Sequence, residues 1–567
     1  MIKLLKNSAL TILFMLPLIF SGTKAEADHM VGADITYRCI DTLKFEITLK
    51  WYRSCEGITL DAGGSPRELR VSCTSGSASI VRLNLIGIRD ITPLCATEPS
   101  NCVPENTAHT GEGVEVHTFR GIVDFNVAPL NTNSLAGCTG KIIFSASVVA
   151  RNTTITTGPS GPIYTDSELD ISKAPCNTSP GLTSEPVAVL CCNQPFFFNN
   201  GALDTANFDS LSYSWGQPRQ TVGSQSTYGG NFAFNNPFTA YYPPGSNPFP
   251  FNNPNANPPI GIYLDPLTGD IIVTPTNCSE ITIAVINITE WRANATTGVM
   301  EVIARTQRDM QFIVKDCTGN KPPVVNGPYS HTACEGNQLC FNVTTNDLPI
   351  DPTATPLELD TVSLDWNGGI AGATFTILDP TARLKTGRFC WTPPIGAAST
   401  LPYTFTATAR DDACPLNAVT VRGFRILVNP NALAEIDIDT MACGVYPIKA
   451  VLPDGFRGIP SYSWSLLDSN RNLILSDKSG AFKASGTFIS VTASDTLIFR
   501  RGGKYLIRLD INNNPLNCPS VFYHTLIVPP LLEADLSIGR DTFVCAGTDI
   551  VFDPSISNYS PPLSYQW

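Results

Sequence analysis

In the stretch FEITLKW, Phe45, Ile47, Leu49 and Trp51 alternate with Glu46, Thr48 and Lys50, the period-two pattern of a strand with one buried face. KIIFSASVVA (141–150) is a more continuous apolar run, which predicts an inner strand. EIDIDT alternates in the same way, so Asp437 and Asp439 share one face of a strand, and His117 in EVHTF and His524 in FYHTL read most simply as strand residues. Extended stretches with helical periodicity are hard to find. The short apolar runs are separated by turn formers, 45 Pro and 42 Gly in 567 residues, and only 15% of residues are charged. This is the composition of all-β sandwiches.

A longer period lies over the strand pattern. LSYSW ends at Trp215, VSLDW at Trp366, PSYSW at Trp464 and LSYQW at Trp567. Upstream stand CCNQPFFF, CEGNQLCF, the degenerate CGVYPIKA and CAGTDIVF, and three of these place a Cys seven residues before a Phe: Cys191 and Phe198, Cys334 and Phe341, Cys545 and Phe552. The last three Trp lie 98 and 103 residues apart, about one sandwich per repeat. Tyr and Trp two apart project from the same face of a strand, so the Trp is expected to fill the space between two sheets. The predicted organisation is a signal peptide (1–27) followed by modules at 28–187, 188–317, 320–429 and 432–528. Residues 531–567 have room only for the first strands of a fifth.

Lys3 and Lys6 precede the apolar run ALTILFMLPLIF, and Ala25-Glu26-Ala27 supplies a small-x-small cleavage site, the parts of a secretory signal. The run is too short for the roughly 20 residues of a bilayer span, so no transmembrane span is expected after cleavage. Removing three Lys and one Glu with it moves the formal charge from −12 to −14, which is unsuited to nucleic acid. All 18 Cys follow the signal, as disulfides formed in an oxidising compartment require. Seven Cys in the first module mean that one leaves it or stays free. Cys191 and Cys192 are adjacent and each needs a distant partner. Four Cys at 334, 340, 390 and 414 permit three pairings, whereas Cys443 and Cys518 stand alone in their module and are expected to bond to each other.

SYSW and LSYQW resemble the Tyr-x-Trp core strand of polycystic-kidney-disease type domains, although SLLDSN follows Trp464 where Phe-Gly-Asp-Gly is typical. LDPLTGDIIVTP (264–275) and LDPTARLKTGRFCWTPP (378–394) resemble the Asp-Pro-x-Thr-Gly turn and next strand of cadherin-like, dystroglycan-type domains, the second with an insertion. DHMVGADITYRC, FEITLKWYRSC, the Cys-x-Gln-Pro-Phe strand and RDMQFIVKDC (308–317) are similar to the opening of large modular surface proteins of gliding, Bacteroidota-type bacteria. These resemblances imply tandem immunoglobulin-like β-sandwich modules in an extended array, on a secreted protein of the bacterial cell surface. They further imply a role in attachment or gliding motility, with secretion and motility machinery engaged through a type nine sorting domain beyond Trp567.

Candidate chemistry is sparse. The five His form no HExxH, and no GxSxG elbow, P-loop or GxGxxG after a strand occurs, so a non-enzymatic protein is expected. No cofactor is required; calcium is the one considered, with oxygen ligands from Asn346, Asp347 and Asp351 in NDLPID and from Asp411 and Asp412 in ARDDACP, at a module's ends. The insertion 226–259 carries Phe232, Phe234, Phe238, Tyr241, Tyr242, Phe249 and Phe251 among Asn and Pro. It reads as a candidate binding surface for an extracellular glycan or surface protein, or as a loop folded back over its own sandwich. The alternative to an adhesin or stalk is a carbohydrate-binding protein or the non-catalytic portion of a secreted hydrolase.

Overall fold

The computed structural model describes residues 30–545 apart from 56–65, 75, 77, 96, 103–112, 132–134, 136, 149–150, 152–153, 187, 247–248, 295, 318, 350–358, 415, 432–433, 441–443, 453–458, 475–492, 500–501, 515–517, 530 and 535–541. Every regular element among them is a strand, and the chain divides into two compact units.

The first unit lies within Met1–Thr332, Gln338–Thr392 and Thr400–Leu427. It opens with β1 (Met30–Asp41), β2 (Lys44–Ser54), β3 (Arg67–Cys73), β4 (Ala78–Asp90), β5 (Val114–Asp124), β6 (Lys141–Val148) and β7 (Ile163–Asp170). The following strands are β8 (Gly181–Leu182), β9 (Ala188–Cys191), β10 (Phe196–Asn199), β11 (Ala202–Leu203), β12 (Ser210–Gly216), β13 (Arg219–Thr221) and β14 (Ser224–Gln225). The block closes with β15 (Ile262–Leu264), β16 (Asp270–Val273), β17 (Ile281–Ala293) and β18 (Met300–Lys315).

The first seven strands pair antiparallel in the order β1-β2-β5-β4-β3-β6-β7. Strand β18 pairs along one edge with β17 and gives its other edge in series to β7 at 304–306, to β1 at 308–310 and, in parallel, to β9 at 312–315. The seven-stranded sheet therefore curls until both of its ends rest on one strand, and the enclosed side chains make a core. Phe45, Ile47 and Leu49 are fully buried in it and Trp51 is nearly so, together with Phe144 from β6 and Ile303 and Ala304 from β18. Both alternation and apolar run thus behave as the sequence predicts. One sheet runs across the boundary expected at 187/188, and β18 from beyond it contributes Ile303 and Ala304 to the first core. The second core forms where the sheet β10-β16-β15 faces β12, β17 and β18, and it holds Phe196, Phe198, Tyr213, Ile286 and Phe312.

A sandwich of two four-stranded sheets comes next: β19 (Val324–Asn326), β21 (Leu339–Asn346), β24 (Thr386–Trp391) and β23 (Thr374–Ile377) against β20 (Ser330–Cys334), β26 (Val419–Asn429), β25 (Tyr403–Arg410) and β22 (Ser363–Trp366). Its centre is a set of stacked rings, Phe389 on Phe405 at 4.6 Å and Phe405 on Phe424 at 5.0 Å.

The Asp-Pro-x-Thr-Gly turn locks this sandwich to the one before it. Asp265 Oδ1 accepts the backbone N–H groups of Leu267 and Thr268, and Gly269 takes φ +78° where a Cβ would stand 2.7 Å from the Tyr213 ring. The turn delivers Asp270, whose carboxylate accepts from Asn199 Nδ2, the Gly423 N–H and Arg422 Nε. Arg422 is held between Phe197 (4.4 Å) and Tyr329 (3.9 Å). At Gly423 an added Cβ would meet Thr268 at 2.7 Å, so only glycine permits this approach.

The second unit comprises Ala333–Asn337, Pro393–Ser399 and Val428–Trp567. Its sheets are β27 (Glu435–Ile438), β28 (Val445–Val451) and β30 (Ser494–Ile498), and β29 (Ile459–Leu467), β31 (Gly503–Asn514) and β32 (Cys518–Val528). Trp464 is fully buried at their core, the place predicted for the repeat's indole, whereas Trp215 and Trp366 are half-buried. A last pair, β33 (Leu531–Ala534) with β34 (Thr542–Cys545), begins a further sheet; Trp567 lies outside the described residues.

Eight disulfides join sixteen of the cysteines. Cys39–Cys176, Cys55–Cys102 and Cys73–Cys138 close the first module, and the seventh cysteine, Cys95, leaves it for Cys414. Cys191 and Cys192 reach Cys317 and Cys278. Of the four cysteines between 334 and 414 only Cys340 and Cys390 pair with each other, directly across β21 and β24. The expected Cys443–Cys518 bond is corrected: Cys518 is bonded to Cys334, with Cα atoms 5.5 Å apart. The segment 333–337 is folded into the second unit, where Glu335 accepts the N–H groups of Gly396 and Ala398 and brings Cys334 into reach. Cys443 lies outside the described residues.

Candidate functional site

The aromatic insertion is ordered by its own sandwich. Pro237 O accepts hydrogen bonds from the Thr157 and Thr282 hydroxyls, both at 2.7 Å, and Thr239 donates its N–H and hydroxyl to Glu280. Phe238 is thereby driven into the second core, 1% exposed and edge-on to Phe312. That corrects its place in a binding surface, because a ring without accessible area cannot meet a ligand. Phe232, Phe234, Tyr241 and Tyr242 are half-buried. Only Phe249 and Phe251 stand out, 39% and 50% exposed. They sit before a short turn closed by Asn253 and Ile260, which exchange backbone hydrogen bonds.

The residues considered for calcium are partly assembled. Asn346 ends β21 and Asp347 follows it, 5% exposed, with Oδ2 buried and unpartnered. Burial, then the nearby carboxylate of Asp411, raises the Asp347 carboxyl to about 7. Burial likewise raises Asp411 to about 6, although its Oδ1 accepts from Ala418 N and its Oδ2 from Asn320 Nδ2. Asp412 is already engaged, its Oδ1 accepting the N–H of Thr361 from a segment 51 residues earlier. Asp351 lies outside the described residues. Among the described residues these carboxylates do not close into a triad around one point.

Two triads of ligand-type side chains do converge, their candidate atoms within 4.8 Å of one another. The first, Cys55, Cys102 and Glu115, has both sulfurs in a disulfide and has no thiolate to offer. The second is Asp204, Asp209 and Glu290, which sequence reading missed because the members come from a turn and from a strand 81 residues further on. Glu290 is placed by β17 opposite Leu211 of β12, at a register shift against β18, is fully buried, and is held well above the usual carboxylate range by that burial.

No protein-family model matches the chain, and no curated protein matches it. Solved structures with which it aligns include titin domains A168–A170 (9% identity, 59% of this chain and 98% of that one, TM-score 0.20). The four N-terminal Ig domains of Dscam1 align at 10% identity over 87% and 98% with TM-score 0.20. The mouse nectin-like molecule 4 ectodomain aligns at 9% over 60% and 97% with TM-score 0.15. At these scores no function carries across. By its own topology the protein is an all-β chain of successive sheet-built modules, two-sheet sandwiches among them, cross-linked by disulfides. Such bonds persist in oxidising, extracytoplasmic surroundings.

Proposed function

We propose that this is an exported, non-enzymatic protein of the bacterial cell surface that acts in attachment or gliding. Its sandwiches hold a binding surface away from the cell, and it works together with secretion and motility machinery. The observation that carries the reading is the set of eight disulfides, one of which, Cys95–Cys414, ties the first module to a later one across 319 residues. Cross-links between modules resist separation under load, which serves a stalk. The signal-like amino terminus and the resemblance of residues 28–317 to surface proteins of gliding bacteria support the location. The test is membrane-impermeant biotin labelling of intact cells, combined with an attachment assay on a deletion strain. Surface labelling and lost attachment are expected; a cytoplasmic protein with reduced thiols would overturn the proposal.

A second reading, carbohydrate binding, has one observation in its favour: Phe249 and Phe251 are exposed rings on an ordered, Asn-rich loop. A glycan array that loses its signal in the F249A/F251A double variant, with thermal stability unchanged, supports that reading. A signal unaffected by the two substitutions, or absent from wild type, removes it.

A further inference from the structure

The 204–209 turn is wound around the Asp204 carboxylate. Its Oδ1 accepts the N–H groups of Ala206 and Asn207, and its Oδ2 accepts that of Asp209. Asp209 in turn accepts both ends of the Arg292 guanidinium, at 2.7 and 2.6 Å, and its side chain is 2% exposed. Asn177 bridges the pair to the third carboxylate: its Oδ1 accepts from Arg292 and its Nδ2 donates to Glu290 Oε2 at 2.6 Å. Glu290 Oε1 is left buried with no hydrogen-bond partner.

Three carboxylates face one guanidinium at this largely buried place, two formal negative charges in surplus when all are ionised, and among the described residues the cation that acts on Glu290 is Arg292. Buried charge without a counter-charge is costly, because the low-dielectric interior withholds the hydration that stabilises it. The unpaired Oε1 is a second feature, separate from the clustering of acids, because a fully buried acceptor ordinarily finds a partner. Oxygens bound to one calcium ion at about 2.3–2.6 Å can lie up to about 5 Å apart, a range that includes the observed span of 4.8 Å. The donor set is oxygen alone, with no thiolate or imidazole to favour a softer metal.

We propose that Asp204, Asp209 and Glu290 form a binding site for one divalent cation of the calcium type. The ion cancels the two surplus charges, takes up Glu290 Oε1, and fastens the 204–209 turn to β17 and to the Asn177 segment. It has no bearing on catalysis, and it is separate from the Asp347–Asp411 pair and from the surface-attachment reading.

The rival state is a protonated Glu290, and E290Q mimics it at nearly equal volume. The test uses the full chain stripped with EDTA, titrated with calcium alone by calorimetry and followed by thermal melting. D347N serves as a control for the other acidic pair. Wild type and D347N are expected to bind one calcium ion at this site and to melt higher with it, whereas E290Q loses that binding or weakens it about tenfold or more. E290Q stripped of calcium is expected to melt no lower than stripped wild type, which shows that it folds. Absence of calcium binding in wild type, or E290Q binding with unchanged stoichiometry and affinity, overturns the proposal. Should E290Q fail to fold, a D204N variant carries the same comparison.

Discussion

At the residue scale the repeat's Trp is a core residue, and its weight follows from burial. Trp464 is fully enclosed among Ile448, Leu466, Ile507 and Leu509 in the second unit. Truncation to Ala removes the largest side chain of that core and leaves a cavity, at a cost of about 3–5 kcal/mol. Denaturant unfolding of W464A should show the second unit lost first, while the half-buried Trp215 tolerates the same change better. Glu115 offers a test of charge. Its carboxyl lies below the usual range because it bonds to His117 and pairs with Arg53, against an opposing contribution from burial. A depressed carboxylate contributes stability in full above its unfolded value of about 4.5 and loses it as pH falls through the folded value. Melting curves from pH 7 to pH 3 should therefore fall less for E115Q than for wild type across the acidic part of the range, and equal slopes would refute the pairing.

At the element scale, the Asp-Pro-x-Thr-Gly turn links sequence signature to interface. Arg422 lies between Phe197 and Tyr329 and meets the Asp270 carboxylate, which burial raises above its ordinary value. Removing the guanidinium in R422A leaves that carboxylate buried without its cation, a change worth about 3–5 kcal/mol. Hydrogen exchange should then show faster opening of β16 and β26 while the ring stack of Phe389 and Phe405 stays protected. The strand FEITLKW, the inner strand after Lys141 and the Trp464 core were legible because period and spacing record local burial. The clamp was not, since nothing near Asp270 announces a partner 152 residues later. The same limit hid β18 as the shared edge of β1, β7 and β9, and hid Glu290 behind an ordinary strand pattern. In the insertion, aromatic content was visible, but which rings turn inward depended on Pro237 O meeting two distant threonines.

At the scale of the whole molecule, the disulfides decide what counts as a module. Pairing the only two cysteines of a segment assumes that each module closes itself, and Cys518 breaks that assumption by bonding Cys334 across 184 residues. Cys95 does so across 319. Bonds of this kind restrict the unfolded chain more than short ones do, although other cross-links inside each loop reduce the gain, so each should contribute about 2–5 kcal/mol. Non-reducing peptide mapping should recover Cys334 with Cys518 and Cys95 with Cys414. Replacing Cys334 and Cys518 together by Ser should lower the melting of the second unit and open a protease site near residues 393–399, which that unit holds through Glu335. Replacing Cys443 alone should leave the Cys334–Cys518 peptide intact. A map that instead joins Cys443 to Cys518 would restore the self-closing module and refute the Cys334–Cys518 cross-link.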